Sequence, residues 1–213
     1  ASKGVNIKWY PHENDMHIRQ ADAAFSMYGG KSSLDGYLNL KPTGLKGEGK
    51  LDMKKAVLTS QHLQFESQAF DADTANFELR TLNREDVAFR SDTLDAHVSY
   101  DYQRARFNTI NNYSVSEFPQ NLYLGYLDEF VWKMDRDTLE VESTPEAKAI
   151  AGKEPKLKRL RDGDVNGALY MSTHKSQDSL RFASSQMTYS VADNTMEAKK
   201  VKHLIAADRK SVV

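Results

Sequence analysis

Apolar and polar residues alternate along most of this chain. Leu34, Gly36, Leu38 and Leu40 share one face of SLDGYLNL, Leu63 and Phe65 alternate in HLQF, and Phe130, Trp132 and Met134 do so in EFVWKM. Leu139 with Val141, Leu180 with Phe182, and Met187 with Tyr189 and Val191 continue the pattern. A period of two marks strands with one buried face, and the Thr, Val, Tyr and Phe content of these runs agrees with it. The segments between them, YGGKSS, KPTGLKGEG, NRED, MDRDT and VADNT, supply the Gly, Pro, Asn and Asp that turns require. FVWKM-DRD-TLEVE and MTYSV-ADN-TMEAKKV read as hairpins, and VSYDYQRARF as a third. Turn signals recur about every ten residues, the spacing of all-β folds.

The predicted fold is therefore all-β, an elongated stack of mostly antiparallel strands, with a parallel β-helix as the alternative. One segment departs from it. Thr144 is a capping residue, Pro145 suits the first helical position, Glu146 is acidic in the first turn, and Gly152 suits the end. This predicts a short helix near 145–151, followed by the polar, basic stretch GKEPKLKRLRDGD. The chain divides accordingly into a β-repeat region (1–143), a surface excursion (144–164) and a continuation of the β-repeat region (165–213).

A short phrase occurs twice: AFDADT from Ala69 and AFRSDT from Ala88. Phe70 and Phe89 are expected to point inward, with each Asp-Thr pair at a strand edge or corner. An interval of roughly twenty residues suits stacked supersecondary units, each unable to bury its apolar face alone.

Composition narrows the function classes. The 213 residues carry 29 basic and 30 acidic side chains, so no basic field attracts nucleic acid. There is no cysteine, which excludes disulfides, thiolate catalysis and Cys-zinc sites. No apolar run approaches the ~20 residues of a membrane helix. The chain starts without Met and ends on KSVV, which reads as a piece of a longer precursor. VNIKWY near the start and KHLIAADRKSVV at the end are apolar enough for buried strands and lack protective proline or dense charge. Both are expected to pair with remaining segments of a longer chain, or edge to edge with another copy.

LRFASSQMTYSVADNTMEAKKV (Leu180 to Val201) and YLDEFVWKMDRDTLEVES (Tyr126 to Ser143) resemble the OstA-type β-jelly-roll repeats of lipopolysaccharide-transport periplasmic proteins. In that family an aromatic strand, an Asp-containing turn and an apolar strand repeat along an open, V-shaped stack. The family's recurrent Gly-Asn-Val phrase is missing here. LKPTGLKGEGKLDMKKAVLTS (Leu40 to Ser60) is similar to repeats of large cell-envelope β-proteins of Gram-negative bacteria. These resemblances imply a place in the bacterial cell envelope, periplasmic or on the outer surface, and an architecture, but no activity.

Several groups of residues could carry chemistry. His12, Glu13, Asp15 and His17 offer metal-ligating atoms without the HExxH spacing, and Pro11 and Asn14 make a polar loop the better reading. Asp135, Asp137 and Glu140, or Asp162 and Asp164, could offer oxygens to calcium, but lack the pattern of a calcium loop and suit ordinary turns. Asp71, Asp73, Asp92 and Asp95 could form the paired carboxylates of a carbohydrate-active enzyme, if the fold sets them at the right separation. Lys153, Lys156, Lys158, Arg159 and Arg161 form a basic cluster suited to a phosphate-bearing lipid headgroup or an acidic glycan. Trp9 and Tyr10, and beyond them Tyr28, Tyr37, Tyr123 and Tyr126, could stack on sugar rings, although alternating aromatics also serve as core. No nucleophile elbow, phosphate loop or dinucleotide fingerprint occurs, so the sequence assigns no catalytic residue, metal or cofactor. The expected function is a non-enzymatic structural or binding segment of a larger envelope protein, holding glycan or lipid through Lys156, Lys158, Arg159, Arg161, Trp9 and Tyr10. A carbohydrate-active enzyme and a lipopolysaccharide or lipid carrier are the alternatives.

Overall fold

A computed structural model describes residues 4–110, 114–142, 167–177, 180–201, 203–206 and 209–212. The predicted helix near 145–151 and the basic cluster with Lys156, Lys158, Arg159 and Arg161 lie outside the described residues. The described residues form strands joined by turns and short loops, with two single 3-10 turns at Tyr28–Gly30 and Lys175–Gln177.

The strands run β1 (Val5–Tyr10), β2 (Asp15–Gln20), β3 (Phe25–Met27), β4 (Ser32–Lys41), β5 (Gly44–Asp52), β6 (Ala56–Phe65), β7 (Ala69–Arg80) and β8 (Val87–Ser99). They continue as β9 (Arg104–Thr109), β10 (Ser114–Phe118), β11 (Tyr123–Leu127), β12 (Glu129–Lys133), β13 (Thr138–Glu142) and β14 (Ala168–Ser172). Last come β15 (Arg181–Ser184), β16 (Gln186–Ser190), β17 (Thr195–Lys199), β18 (His203–Ala206) and β19 (Arg209–Val212). All pair antiparallel in one open sheet.

From β4 to β8 each strand pairs with the next in sequence. At β8 the sheet divides. Its second half, Leu94 to Ser99, pairs with β9, whereas Arg90 in its first half pairs with Glu117 of β10. One branch runs β9–β12–β13–β16–β17, and the other runs β10–β11–β14–β15–β18–β19. The branches fold toward each other. Phe118 of β10 meets Tyr189 of β16 edge-on at 5.3 Å, and the Asn121 amide donates to the Asn194 carbonyl across their turns at 2.9 Å. Between the layers Phe77, Phe89, Phe107, Phe118, Phe130 and Trp132 form one ring cluster, each no more than 1% exposed. The sheet is thus a bent, two-layered stack filled with aromatic side chains.

The parallel β-helix alternative does not hold. It requires Phe70 and Phe89 above one another on successive rungs, yet Phe70 faces Val98 and Phe89 faces Leu79 in antiparallel register. The repeated phrase lies instead on two neighbouring strands running in opposite directions. In both copies the burial alternation slips by one residue at Asp-Thr. Phe70 and Ala72 are buried, Asp73 and Thr74 are both exposed, and Ala75 and Phe77 are buried again. Phe89 and Ser91, Asp92 and Thr93, then Leu94 and Ala96 repeat this order. Such a slip is a β-bulge, which bends the strand while keeping its apolar face inward. Thr74 and Thr93 take φ of 52° and 59°, a left-handed conformation that is unusual for a β-branched residue.

One strand that lacks the phrase bulges at the same level. On β6, Ser60 is buried, Gln61 and His62 are exposed, and Leu63 is buried. These two exposed residues oppose the single Glu48 of β5, so the β5–β6 register slips between Gly47 and Gly49. Serine hydroxyls satisfy the backbone freed by the bulges: Ser60 donates to the Asp73 carbonyl at 2.6 Å and Ser114 to the Asp92 carbonyl at 2.9 Å. The result is a crease crossing four adjacent strands.

Candidate functional site

The crease places polar side chains on the outer face, where the alternation directs every residue that is not core. Hairpin register fixes which of them meet. The β6–β7 pairing sets Gln64 beside Asp71 and His62 beside Asp73, and the β7–β8 pairing sets Asp71 beside His97. Asn108 follows beside Asp95 on β9, and Lys46 beside Gln64 on β5. Together they line a groove of about 550 Å³, with Leu63, Ala72 and Ala96 contributing to its lining. A second groove of about 920 Å³ adjoins it through Gln61 and His62, lined by Arg19, Tyr37, Glu48, Thr59, Thr74 and Asn76.

Within the first groove the side chains form pairs. The His97 imidazole lies 2.7 Å from the Asp71 carboxylate. Asp95 stands opposite the Asp73–Thr74 bulge. Asp95 is held above the ordinary aspartate range by desolvation first, then by the neighbouring Asp73 charge and side-chain hydrogen bonding toward Asp73, with the Thr74 backbone amide pulling the other way. A carboxyl with a higher pKa in the folded chain than in the unfolded chain binds more protons when folded. Its contribution therefore favours the fold at low pH and is lost as pH rises from the usual aspartate value through the raised one. Asp95→Asn keeps a hydrogen-bond donor toward Asp73 without the second charge. Its urea midpoint is expected to gain on that of the parent chain as pH rises through this window, and a difference independent of pH would contradict the pairing.

The structure brings together three of the four predicted aspartates. Asp71, Asp73 and Asp95 line the groove, whereas Asp92 lies within the β8 bulge and outside that lining, and its carbonyl accepts the Ser114 hydroxyl. Trp9 and Tyr10 do not form a joint platform, because adjacent residues of a strand point to opposite faces. Trp9 stands on the apolar face and is 48% exposed. Tyr10 stands on the outer face against His17, with ring centroids 5.0 Å apart, and His17 meets Tyr37 at 5.5 Å. This short ladder leads to the second groove, so of the two predicted stacking residues only Tyr10 is on the grooved face.

The other candidates serve the fold. Pro11 to Asn14 form the β1–β2 turn, and Asp15 engages His17 at 3.2 Å and Lys41 at 3.1 Å. Asp137 accepts from Lys55 at 2.8 Å, and Glu140 pairs with Lys133. No group of three metal-ligating side chains forms among the described residues; Asp162 and Asp164 lie outside them. Tyr28 is packed beside Tyr100, with centroids 4.5 Å apart, and its hydroxyl donates to the Ala69 carbonyl. Tyr123 bonds Gln177, and Tyr126 packs on Leu169 and Ile205.

Sequence reading missed His62, His97, Gln61, Gln64, Lys46 and Asn108. One signal was available: closing HLQF-ESQ-AFDAD so that Phe65 meets Phe70 brings Gln64 to Asp71 and His62 to Asp73. The bulges that gather the remaining residues leave no such mark. Compared with family profiles, curated proteins and solved structures, the chain matches none of them.

Proposed function

We propose that this chain is a non-enzymatic structural and binding segment of a larger bacterial cell-envelope protein, and that its creased outer face holds a glycan. The observation that carries the reading is the crease itself. Coincident bulges on three strands, β6, β7 and β8, open a groove lined by carboxylate, carboxamide and imidazole groups, whose planar donors and acceptors suit sugar hydroxyls. Tyr37 and Tyr10, farther along the same face, add rings on which a sugar can stack. The cell-envelope setting rests on the resemblance of Leu40 to Ser60 and of the two hairpins to envelope β-repeats.

Asp73 and Asp95 also favour one feature of the enzyme reading, since a raised carboxyl beside an ionised one can donate a proton. Glycoside hydrolysis, however, needs two carboxyls about 5–9.5 Å apart with the scissile bond between them. Asp73 and Asp95 are close neighbours across the bulged β7–β8 pair, which favours a shared proton over a substrate between them, and Asp71 is engaged by His97. The aromatic filling between the layers likewise favours a scaffold over a carrier that must admit acyl chains.

The test is calorimetric titration with neutral and acidic cell-envelope polysaccharide fragments, with product analysis of the same mixtures. Binding without cleavage is expected. His62→Ala and Asp73→Asn are expected to weaken it by about tenfold each, the loss of one or two hydrogen bonds. Absence of binding by the folded chain would reject the reading, and fragment shortening that Asp73→Asn abolishes would establish the enzyme instead.

A further inference from the structure

A different part of the molecule carries an inference independent of the glycan reading. Among the described residues β1 hydrogen-bonds only to β2, so within them one side of it meets no backbone partner. Along its apolar face Val5, Ile7 and Trp9 are 40%, 57% and 48% exposed. Leu40, two strands away on the same face, is 42% exposed. Open strand edges are normally protected by charge, proline or a covering element. β17, at the end of one branch, has such protection in exposed Glu197 and Lys199. β1 has one charge, Lys8, and it does not guard the edge. Its ammonium lies over the Tyr10 ring at 4.8 Å, on the face away from Ile7 and Trp9.

We infer that β1 pairs with β1 of a second copy of this chain, antiparallel about a two-fold axis through Ile7. The strand VNIKWY is complementary to itself in that register alone. Centring on Ile7 sets Val5 opposite Trp9 of the second copy, Ile7 opposite Ile7, and Asn6 opposite Lys8. An axis perpendicular to the sheet keeps both apolar faces on one side, so the exposed side chains become cross-strand neighbours, the contacts that stabilise sheets. Centring on Lys8 would oppose two ammonium groups, and centring on Asn6 would leave Trp9 without an apolar partner. A one-residue slip would turn one copy's apolar face to the other side. The contact is isologous, so it closes at a dimer and does not propagate into a fibre.

The chain has no cysteine, which makes cross-linking selective. Residues directly opposite on antiparallel strands have Cβ atoms about 4.5–5.5 Å apart, close to disulfide reach. Under mild oxidation Ile7→Cys is expected to form a disulfide dimer at least about tenfold faster than Tyr102→Cys, which sits at an exposed hairpin tip and reports random collision. Sedimentation velocity over a dilution series should show a reversible dimer. Ile7→Lys, which opposes two ammonium groups on the axis, should weaken it by at least about tenfold while leaving circular dichroism and thermal midpoint unchanged. Strict monomers at every concentration, a dimer indifferent to Ile7→Lys, or equal cross-linking of the two cysteine variants would each overturn the inference. Monomers whose Trp9 emission shifts only on addition of phospholipid vesicles would assign this face to a lipid surface instead.

Discussion

Phe89→Ala is expected to lower the free energy of unfolding by about 3–5 kcal/mol, the range for deleting a fully buried aromatic side chain. Phe89 is 0% exposed and touches rings on three other strands: Phe77 at 6.3 Å, Phe118 at 5.0 Å and Phe130 at 5.0 Å. These belong to β7, β10 and β12, so one ring joins the undivided sheet to both of its branches. Removing it leaves a cavity at the point where the branches separate, and rigid neighbours on three strands cannot all close on it. Urea unfolding followed by tryptophan emission measures the effect, with Tyr102→Ala as the comparison. Tyr102 is 84% exposed, and its replacement should stay within about 0.5 kcal/mol. A small effect at Phe89 would mean that the two layers are not packed through this ring.

Gly49→Ala is expected to cost about 2–4 kcal/mol, combining backbone strain with overpacking. Gly49 lies at the start of the crease with φ of +133°, and a Cβ there would stand 2.3 Å from the Asp35 carbonyl oxygen. Its partner across the β4–β5 ladder is Gly36, where a Cβ would stand 2.0 Å from the Glu48 carbonyl oxygen. The obstacles are backbone atoms of the neighbouring strand, so no side-chain rotation relieves them. Two glycines facing each other let β4 and β5 follow the bend that the Asp-Thr bulges impose on β7 and β8. The same urea experiment applies, and Gly49→Ala should also weaken the glycan binding proposed for this face, because Glu48 and Gly49 line the second groove. A neutral Gly49→Ala would show that the crease does not depend on this close approach.

Local chemistry was readable without the tertiary structure. The three hairpins form where their turn residues lie: Trp132 faces Leu139 across MDRDT, Tyr189 faces Met196 across VADNT, and Val98 faces Ala105 across the third. Asp137, Asn194 and Gln103 supply the positive φ of those turns, at 50°, 52° and 48°. Alternation also identified the buried faces, since Leu34, Leu38, Leu63, Phe65, Phe130, Trp132, Leu139 and Val141 are all core. At β1 this reasoning went too far. VNIKWY is apolar enough for a buried strand, yet it forms an exposed one, because among the described residues no second layer covers Val5, Ile7 and Trp9. Period-two patterning says which face of a strand is apolar, not whether anything packs on it.

The repeated Asp-Thr phrase shows where the sequence stops and the tertiary structure takes over. By itself the sequence determined that Phe70 and Phe89 point inward, because burial preferences act over a few residues; it put each Asp-Thr pair at a strand edge or corner, and both lie at bulges inside long strands. It suggested stacked units at a regular interval, whereas the two copies are neighbours in an antiparallel pair and bend it together. Nothing local distinguishes those arrangements, since both bury the same side chains. Tertiary pairing alone decided that Ser60 and Ser114 reach the freed carbonyls, that β6 and β5 slip at the same level, and that β8 divides between two branches. The groove is a consequence of those choices. Asp71, Asp73 and Asp95 meet His62 and His97 because three bulges align in space, and alignment between strands is set by which edges pair, a long-range selection that no short stretch of sequence encodes.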